Sequence, residues 1–309
     1  MLLATFVLSS CGMSSSVASR AGYAWSRPAK SGIPLSPNSL SCASQRFCLV
    51  GGLSDWGHDL ATYNGNSWSV SLTVNTNSPS SVMSVSCPSP SYCAALNGAR
   101  VRTYNGESWS PLQSAGNIGN EGRYISCPAR TLCVAMSLYG VVSVYNGVSW
   151  TKPDSIDHGI LVTGLSCPVT QFCVALNSHG DVITYNGKSW SAPKLIDTRG
   201  RFALNPISCS SPTFCVAVDA HGNALSYNGT SWSAPKLVDP HGALNAVSCS
   251  SPTFCVAVDG HGNALSYNGK SWSAPKLVDT HRALYLVSCA PSSQCVAMDV
   301  HGYWIKTEK

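Results

Sequence analysis

The sequence predicts an all-β chain folded as a seven-bladed β-propeller with four antiparallel strands per blade, and three periodic features carry the prediction. Fourteen of the 15 cysteines form pairs with five residues between partners: Cys42/Cys48, Cys87/Cys93, Cys127/Cys133, Cys167/Cys173, Cys209/Cys215, Cys249/Cys255 and Cys289/Cys295. Their first members stand 45, 40, 40, 42, 40 and 40 residues apart. Six copies of Tyr-Asn-Gly, beginning at Tyr63, Tyr104, Tyr145, Tyr185, Tyr227 and Tyr267, keep that step, as do Trp25, Trp68, Trp109, Trp150, Trp190, Trp232 and Trp272. A fixed period of about 40 to 45 residues built of short strands marks a propeller, in which each repeat buries its faces against its neighbours.

Within one unit, "ALNAVSC", "FCVAVD", "NALSY" and "SWSAPKLV" read as four strands separated by "SSPT", "GHG" and "NGK". Asn-Gly before a strand signals a tight hairpin, since both residues tolerate positive φ. Cys249 ends the first strand and Cys255 opens the second, so the two face each other across a hairpin and can form a disulfide that staples one corner of the blade. Closing so short a loop is worth roughly 2 kcal/mol in the chain-entropy account. The repeated Trp and Tyr are expected to pack between blades.

The two ends of the chain complement each other. The last unit opens as "VSCAPSSQCVAMDVHG" and reaches Lys309 without a Trp-Ser pair, whereas "GYAWSRP" near the other end carries the extra Trp25. The N-terminal strand is therefore expected to complete the last blade and close the ring, which resembles the closure of WD40-type propellers, although no Trp-Asp signature is present. The expected organisation is a signal peptide with lipobox over 1–11, a Ser-rich linker over 12–21 and the propeller over 22–309.

Composition narrows the setting. A chain with 44% hydrophobic and 11% charged residues is globular, and a net charge of +5 without any run of Lys or Arg excludes a nucleic-acid track and a polybasic membrane patch. Zinc sites favour closer cysteine spacing, so the regular pairs indicate disulfides and an oxidising compartment. Leu8-Ser9-Ser10-Cys11 closes the apolar opening "MLLATFVLSSCG" and resembles the lipobox of bacterial lipoprotein signal peptides, which implies lipidation of Cys11, although the basic segment of a signal peptide is missing. An apolar run of about seven residues cannot span a bilayer. The expectation is an extracellular protein, secreted or a cell-surface lipoprotein, that meets the membrane only through a lipid anchor at Cys11.

In a propeller the turns between second and third strands and the links between blades share one face, called the top here. All eight histidines are placed there: His58, His179, His221, His261 and His301 in second-to-third turns, and His158, His241 and His281 in links. Asp-x-His-Gly is good turn chemistry, with Asp bonding its own turn; the sharper alternative is a pH-responsive or metal-attracting ring. The residue four before each first cysteine opens the innermost strand at the channel mouth and reads Asn38, Met83, Arg123, Thr163, Asn205, Asn245 and Tyr285. Between 207–246 and 247–286, seven of 40 positions differ, and five fall on the top or its edge: Ala220/Gly260, Pro240/Thr280, Gly242/Arg282, Asn245/Tyr285 and Ala246/Leu286. Blade 1 adds an enlarged loop, "GGLSDWGHD". The candidate ligand contacts are Asp55, Trp56, His58, Arg123, Arg199, Arg201, His221, His261, Arg282, Tyr285 and His301, because Arg reads carboxylates bidentately and aromatic faces stack on sugars.

The stretch "DGHGNALSYNGKSW" resembles the Asp-box turn of sialidases and related propellers. The repeat over 22–309, with Cys, Tyr-Asn-Gly and Trp-Ser as its motif, is similar to disulfide-paired propeller repeats of exported actinobacterial proteins. A sialidase resemblance implies an arginine cluster and a tyrosine nucleophile activated by a glutamate, but the glutamates are three, Glu107, Glu121 and Glu308, and Glu121 alone falls on a top loop. A carboxylate pair for a glycosidase would come from Asp59, Asp219, Asp259 or Asp299, of which the last three are equivalent turn residues. No Gly-x-Ser-x-Gly elbow, His-Glu-x-x-His helix or phosphate loop occurs. The expectation is a non-catalytic binding or adhesion propeller, without cofactor or metal, that presents its top face to cell-wall glycan or a surface protein. The alternatives are a multivalent lectin with sites between blades and an extracellular glycosidase or sialidase-like hydrolase.

Overall fold

The computed structural model describes residues 23–54, 57–74, 82–156, 159–199, 202–280 and 282–308. Their strands form seven antiparallel sheets, each ordered from an inner to an outer strand, and no helix occurs among them. Blade 6 shows the plan: Leu244–Ser251, Phe254–Asp259, Asn263–Tyr267 and Lys276–Leu277.

All seven predicted cysteine pairs are disulfides: Cys42–Cys48, Cys87–Cys93, Cys127–Cys133, Cys167–Cys173, Cys209–Cys215, Cys249–Cys255 and Cys289–Cys295, with Cα atoms 3.9 to 4.1 Å apart. The bonds sit deeper than a staple at a blade corner implies. The second partners, Cys48, Cys93, Cys133, Cys173, Cys215, Cys255 and Cys295, are all 1% exposed or less, more deeply buried than the first partners. Each belongs to the apolar cluster of a blade seam, Cys48 with Met298 of blade 7, Cys133 with Leu96 of blade 2 and Cys215 with Val174 of blade 4. Cys93 lies with Leu49 of blade 1 and Cys295 with Val258 of blade 6 in the same way. The reason is the pleat: the second strand is covered by strands on both sides and by a neighbouring blade, so its first inward position falls within the core.

The outer strand is shorter than the sequence indicates, and proline is the reason. A proline cannot donate to the ladder and is tolerated only at an edge. In blade 6 the predicted strand "SWSAPKLV" splits around Pro275 into a Tyr267–Trp272 bridge and the two-residue strand Lys276–Leu277. Blade 1, whose "SWSVSLTV" has no proline, keeps an unbroken outer strand, Trp68–Val74. The Tyr-Asn-Gly turn also differs from the expected hairpin. Only its glycine takes positive φ, for example Gly269 at 87°. Asn268 instead folds its side chain back, Oδ1 accepting from the backbone N–H of Lys270 and Ser271, an Asx-type turn that needs no left-handed asparagine.

Core packing lies between blades. Val134, Met136 and Val142 of blade 3 meet Cys173, Ala175 and Ile183 of blade 4, with Tyr185 and Trp190 covering the outer end. Rings also stack from blade to blade, Phe172 on Tyr227 and Phe214 on Tyr267 at 6.1 and 5.9 Å.

At the axis the serine that precedes each first cysteine makes a contact that the repeat pattern does not reveal. Its Oγ accepts the N–H of the first cysteine of the next blade: Ser41 from Cys87, Ser86 from Cys127, Ser126 from Cys167, Ser166 from Cys209, Ser208 from Cys249 and Ser248 from Cys289, all at 2.9 to 3.0 Å. Cys42 N–H to Ser288 Oγ at 2.9 Å closes the circle. Inner strands are sheet edges, and this ring satisfies one edge donor per blade while tying neighbours together. Ser126→Ala is expected to lower stability by about 1–2 kcal/mol, seen as a lower urea midpoint at unchanged slope, because the Cys167 N–H loses its acceptor. An unchanged midpoint would mean that water replaces the hydroxyl without cost.

The last blade is completed from the other end of the chain. Ala24–Trp25 and Ala29–Lys30, split around Pro28, pair with Tyr303–Glu308, with Trp25 opposite Thr307 and Lys30 opposite Tyr303.

Candidate binding site at the channel mouth

A backbone irregularity builds the mouth. Where the inner strand enters the top face, its register against the second strand slips by one residue, and the skipped residue is Asn38, Arg123, Thr163 or Asn245. A β-bulge re-aims the side chain it carries. Met83 and Tyr285, at the same position in blades 2 and 7, stand just ahead of their inner strands and bond backbone N–H to Leu96 and Met298 carbonyls at 2.9 and 3.1 Å. In blade 5 the slip extends from Phe202 to Ile207. One position per blade thus surrounds the axis, and it holds five residue types in the seven copies.

The side chains at these positions are not equivalent. Tyr285 is 44% exposed. Arg123 is half-buried beside Met83, Nη1 lying 4.0 Å from the sulfur. Asn245 Nδ2 donates to the Leu284 carbonyl at 2.8 Å. Thr163 turns inward, buried, its hydroxyl donating to the Leu176 carbonyl at 3.4 Å, so it is not a surface contact. Below Arg123, the Tyr124 hydroxyl donates to the Val162 carbonyl at 3.1 Å, and burial pushes its pKa up to about 12 despite the nearby guanidinium.

Arg282 is partly committed elsewhere. Its guanidinium lies 3.8 Å over the Tyr303 ring, and its Nε stands 3.5 Å from Asp299 Oδ2. It braces the blade 6 to blade 7 link and presents only part of itself to solvent. The Arg199 N–H donates to Asp197 Oδ1 at 3.0 Å while the residue stays exposed. His58 lies on the third strand of blade 1, Gly57–Tyr63, opposite Leu53, and not in a turn, because the enlarged loop continues the hairpin ladder to the Ser54–Gly57 pair. Asp55, Trp56, Arg201, His158 and His281 lie outside the described residues. Ala246 and Leu286, read as top-edge positions, are buried in the blade seams.

The histidine turns follow the simpler expectation. Asp219 Oδ1 accepts the N–H groups of His221 and Asn223, both at 2.8 Å, and Gly222 takes φ 79°. Blade 6 repeats this with Asp259, His261 and Asn263. Blade 4 exchanges the two polar partners, Asn177 Nδ2 donating to Asp181 at 3.0 Å. The imidazoles stay largely in solvent, Nδ1 of His179, His221, His241, His261 and His301 lying 3.2 to 4.0 Å from a carboxylate. Among the described residues no three His, Cys, Asp or Glu side chains converge as a metal site.

Beneath these turns lies a feature the sequence also signals, in the repeated "LVD" before the links and "VAVD" at the second strands. Asp239 of the blade 5 link and Asp259 of blade 6 are both fully buried and in contact. Desolvation raises the pKa of Asp239, Asp259 adds to the rise, and the His241 N–H partly offsets it. A carboxyl whose pKa is raised on folding contributes stability below its unfolded value near 3.8, lost as pH climbs through the folded value. Asp239→Asn keeps the acceptor for His241 and adds a donor for Asp259. It is expected to raise the melting temperature at pH 7 and leave it unchanged at pH 3.5; equal melting at both pH values would show that the carboxyls do not compete.

No family model and no curated protein matches the chain. Among solved structures it is similar to YCF48 bound to D1 peptide, at 15% identity and TM-score 0.72 over 92% of this chain and 95% of that one. YCF48 from Cyanidioschyzon merolae gives 15% and 0.69 over 92% and 99%, and the WD40 β-propeller domain of Doa1 gives 8% and 0.68 over 92% and 97%. Fold and mouth together define the class, a seven-bladed propeller with WD40-like neighbours. At these identities the likeness is one of fold.

Proposed function

We propose that this chain is a non-catalytic binding propeller of an extracytoplasmic, oxidising compartment, and that its channel mouth holds a protein or peptide partner. The observation that carries the proposal is the mouth position itself: bulges in four blades carry Asn38, Arg123, Thr163 and Asn245 there, and with half-buried Arg123 and exposed Tyr285 a repeated scaffold acquires an asymmetric surface. A solved neighbour bound to D1 peptide and another found in the Mitotic Checkpoint Complex support a protein partner over a cell-wall glycan. Seven disulfides support the compartment, and an anchor at Cys11 belongs to the same proposal. A hydrolytic role is disfavoured by the repeated aspartates. Asp219, Asp259 and Asp299 are buried to 1% exposure or less, and each accepts N–H groups of its own turn, which leaves no carboxyl of this set poised at the surface.

The test is a peptide array covering the cell-envelope proteins of the source cell, probed with the purified propeller. Saturable binding is expected, weakened at least tenfold by Arg123→Ala together with Tyr285→Ala, about 1.4 kcal/mol or more for the two contacts. Binding that survives both substitutions would place the partner elsewhere.

A further inference from the structure

The seam between blades 1 and 2 opens on the opposite, bottom face into a cavity of about 490 Å³. That is within the range of small-molecule sites, roughly 300–1,000 Å³. Its aromatic walls are Phe47 from blade 1 and Tyr104 and Trp109 from blade 2, with Thr62, Asn64 and Ser108 adding short polar groups. Phe47 and Tyr104 stack at 6.2 Å and 18°, and Tyr104 tilts against Trp109 at 5.3 Å.

What separates this seam from its repeats is a pair of opposite charges; the next seam, between blades 2 and 3, is lined by Arg130 without an acid. Arg46, from the first turn of blade 1, and Glu107, from the Tyr-Asn-Gly turn of blade 2, both line the cavity. In the following blades the position of Arg46 holds Ser91, Thr131, Gln171, Thr213, Thr253 and Ser293, none of them charged. The position of Glu107 holds Asn66, Val148, Lys188, Thr230 and Lys270 in the other copies, none of them acidic. The Arg46 stem is laid across Gly65, its Cγ 2.9 Å from where a Cβ there would sit. Both side chains are exposed, and among the described residues neither forms an ion pair. A base and an acid from adjacent blades therefore face one cavity without neutralising each other.

We propose that this seam is a single glycan site that takes one neutral pyranose unit of an oligosaccharide. The chemistry matches group by group. Arg46 donates to ring hydroxyls, Glu107 accepts from them, the aromatic walls meet the C–H face of the ring, and the short polar side chains bond the remaining hydroxyls. A neutral polyol uses an acid and a base together, whereas a ligand with charge of one sign only satisfies one and is repelled by the other. The site is independent of the channel mouth, which lies on the other face.

Glucose, galactose and N-acetylglucosamine oligomers titrated into the propeller, followed by tryptophan emission and calorimetry, test the proposal. The expected result is one site per chain for at least one of the series, with emission changed through Trp109. Glu107→Gln and Arg46→Ser, at exposed positions whose residue varies between blades, are each expected to weaken binding at least tenfold at unchanged melting temperature. No saturable binding by any series overturns the proposal, as do several equivalent sites per chain or binding indifferent to both substitutions. Binding of a peptide at this seam in place of sugars would overturn the ligand class. Arg123→Ala is expected to leave sugar binding intact, so failure here and failure at the mouth are separable.

Discussion

A chain shortened to begin at Ser31 is expected to unfold at a markedly lower temperature than the complete propeller. The segment removed supplies the outer strands of the last blade. Ala24 and Trp25 pair with Glu308 and Thr307, the Ser26 N–H donates to the Lys306 carbonyl at 2.8 Å, and Ser26 Oγ accepts the Lys306 N–H at 3.1 Å. Trp25 covers the cluster of Val256, Val258, Val287 and Ile305 between blades 6 and 7, and Tyr23 packs tilted against Phe254 at 4.6 Å. A half-buried Trp and one aromatic pair together amount to about 3 kcal/mol. In a chain of this size that corresponds to a fall of roughly 5 °C. The truncation also bares the Tyr303–Glu308 edge, so association at high concentration is expected as well. Calorimetry and light scattering on the shortened chain, with and without a peptide spanning 23–30, provide the check. Recovery of melting temperature on adding the peptide assigns the loss to the closing strand, and an unchanged melting temperature would show that six complete blades hold the seventh unaided.

Reduction is expected to have the larger effect. Each disulfide closes a loop with a sequence separation of 6 residues, worth roughly 2 kcal/mol through the unfolded chain. Seven such terms, even if they add incompletely, rival the roughly 5–15 kcal/mol by which a domain is ordinarily stable. The sulfurs belong to residues that are at most 9% exposed, and Cys48, Cys93, Cys133, Cys215 and Cys295 are shut within blade seams, so reduction requires opening of the blade and should be slow under native conditions. Once reduced and alkylated in denaturant, the chain is expected not to recover the native circular dichroism spectrum on dilution. Refolding of the alkylated chain with an unchanged urea midpoint would show that the hairpins form without their staples.

Both expectations concern features legible in the sequence, because they rest on local geometry repeated many times. Cys249 and Cys255 are six residues apart across one turn, so their pairing follows from hairpin formation alone. Trp25 is recognised as the missing outer strand because five other Trp-Ser pairs and one Trp-Thr pair define the pattern it completes. The shortened outer strands were legible too, in the proline of "SAP", once its lost donor is weighed against the strand pattern around it. The Asn of Tyr-Asn-Gly was misassigned for a chemical reason: an asparagine can enter the left-handed region or bond its own turn, and the sequence "NG" allows both.

The site was less legible. Arg282 and His221 are on the top face as expected, but whether a top-face arginine is offered to a ligand or held by Tyr303 and Asp299 depends on residues about 20 positions away in the chain. Thr163 and Arg123 occupy equivalent bulges, yet one points inward and the other stays at the mouth.

The sequence by itself determined the number of blades, the four-strand unit, the disulfide pairing and the closing strand, since each is a short-range pattern copied at a fixed period. Only the tertiary structure decided which copies stopped being equivalent. The serine ring, the bulged mouth, the Asp239–Asp259 contact and the Arg46–Glu107 cavity each join residues of neighbouring blades about 20 to 60 positions apart. A repeat pattern cannot show these contacts, because it records what every blade keeps and is silent on how two blades meet.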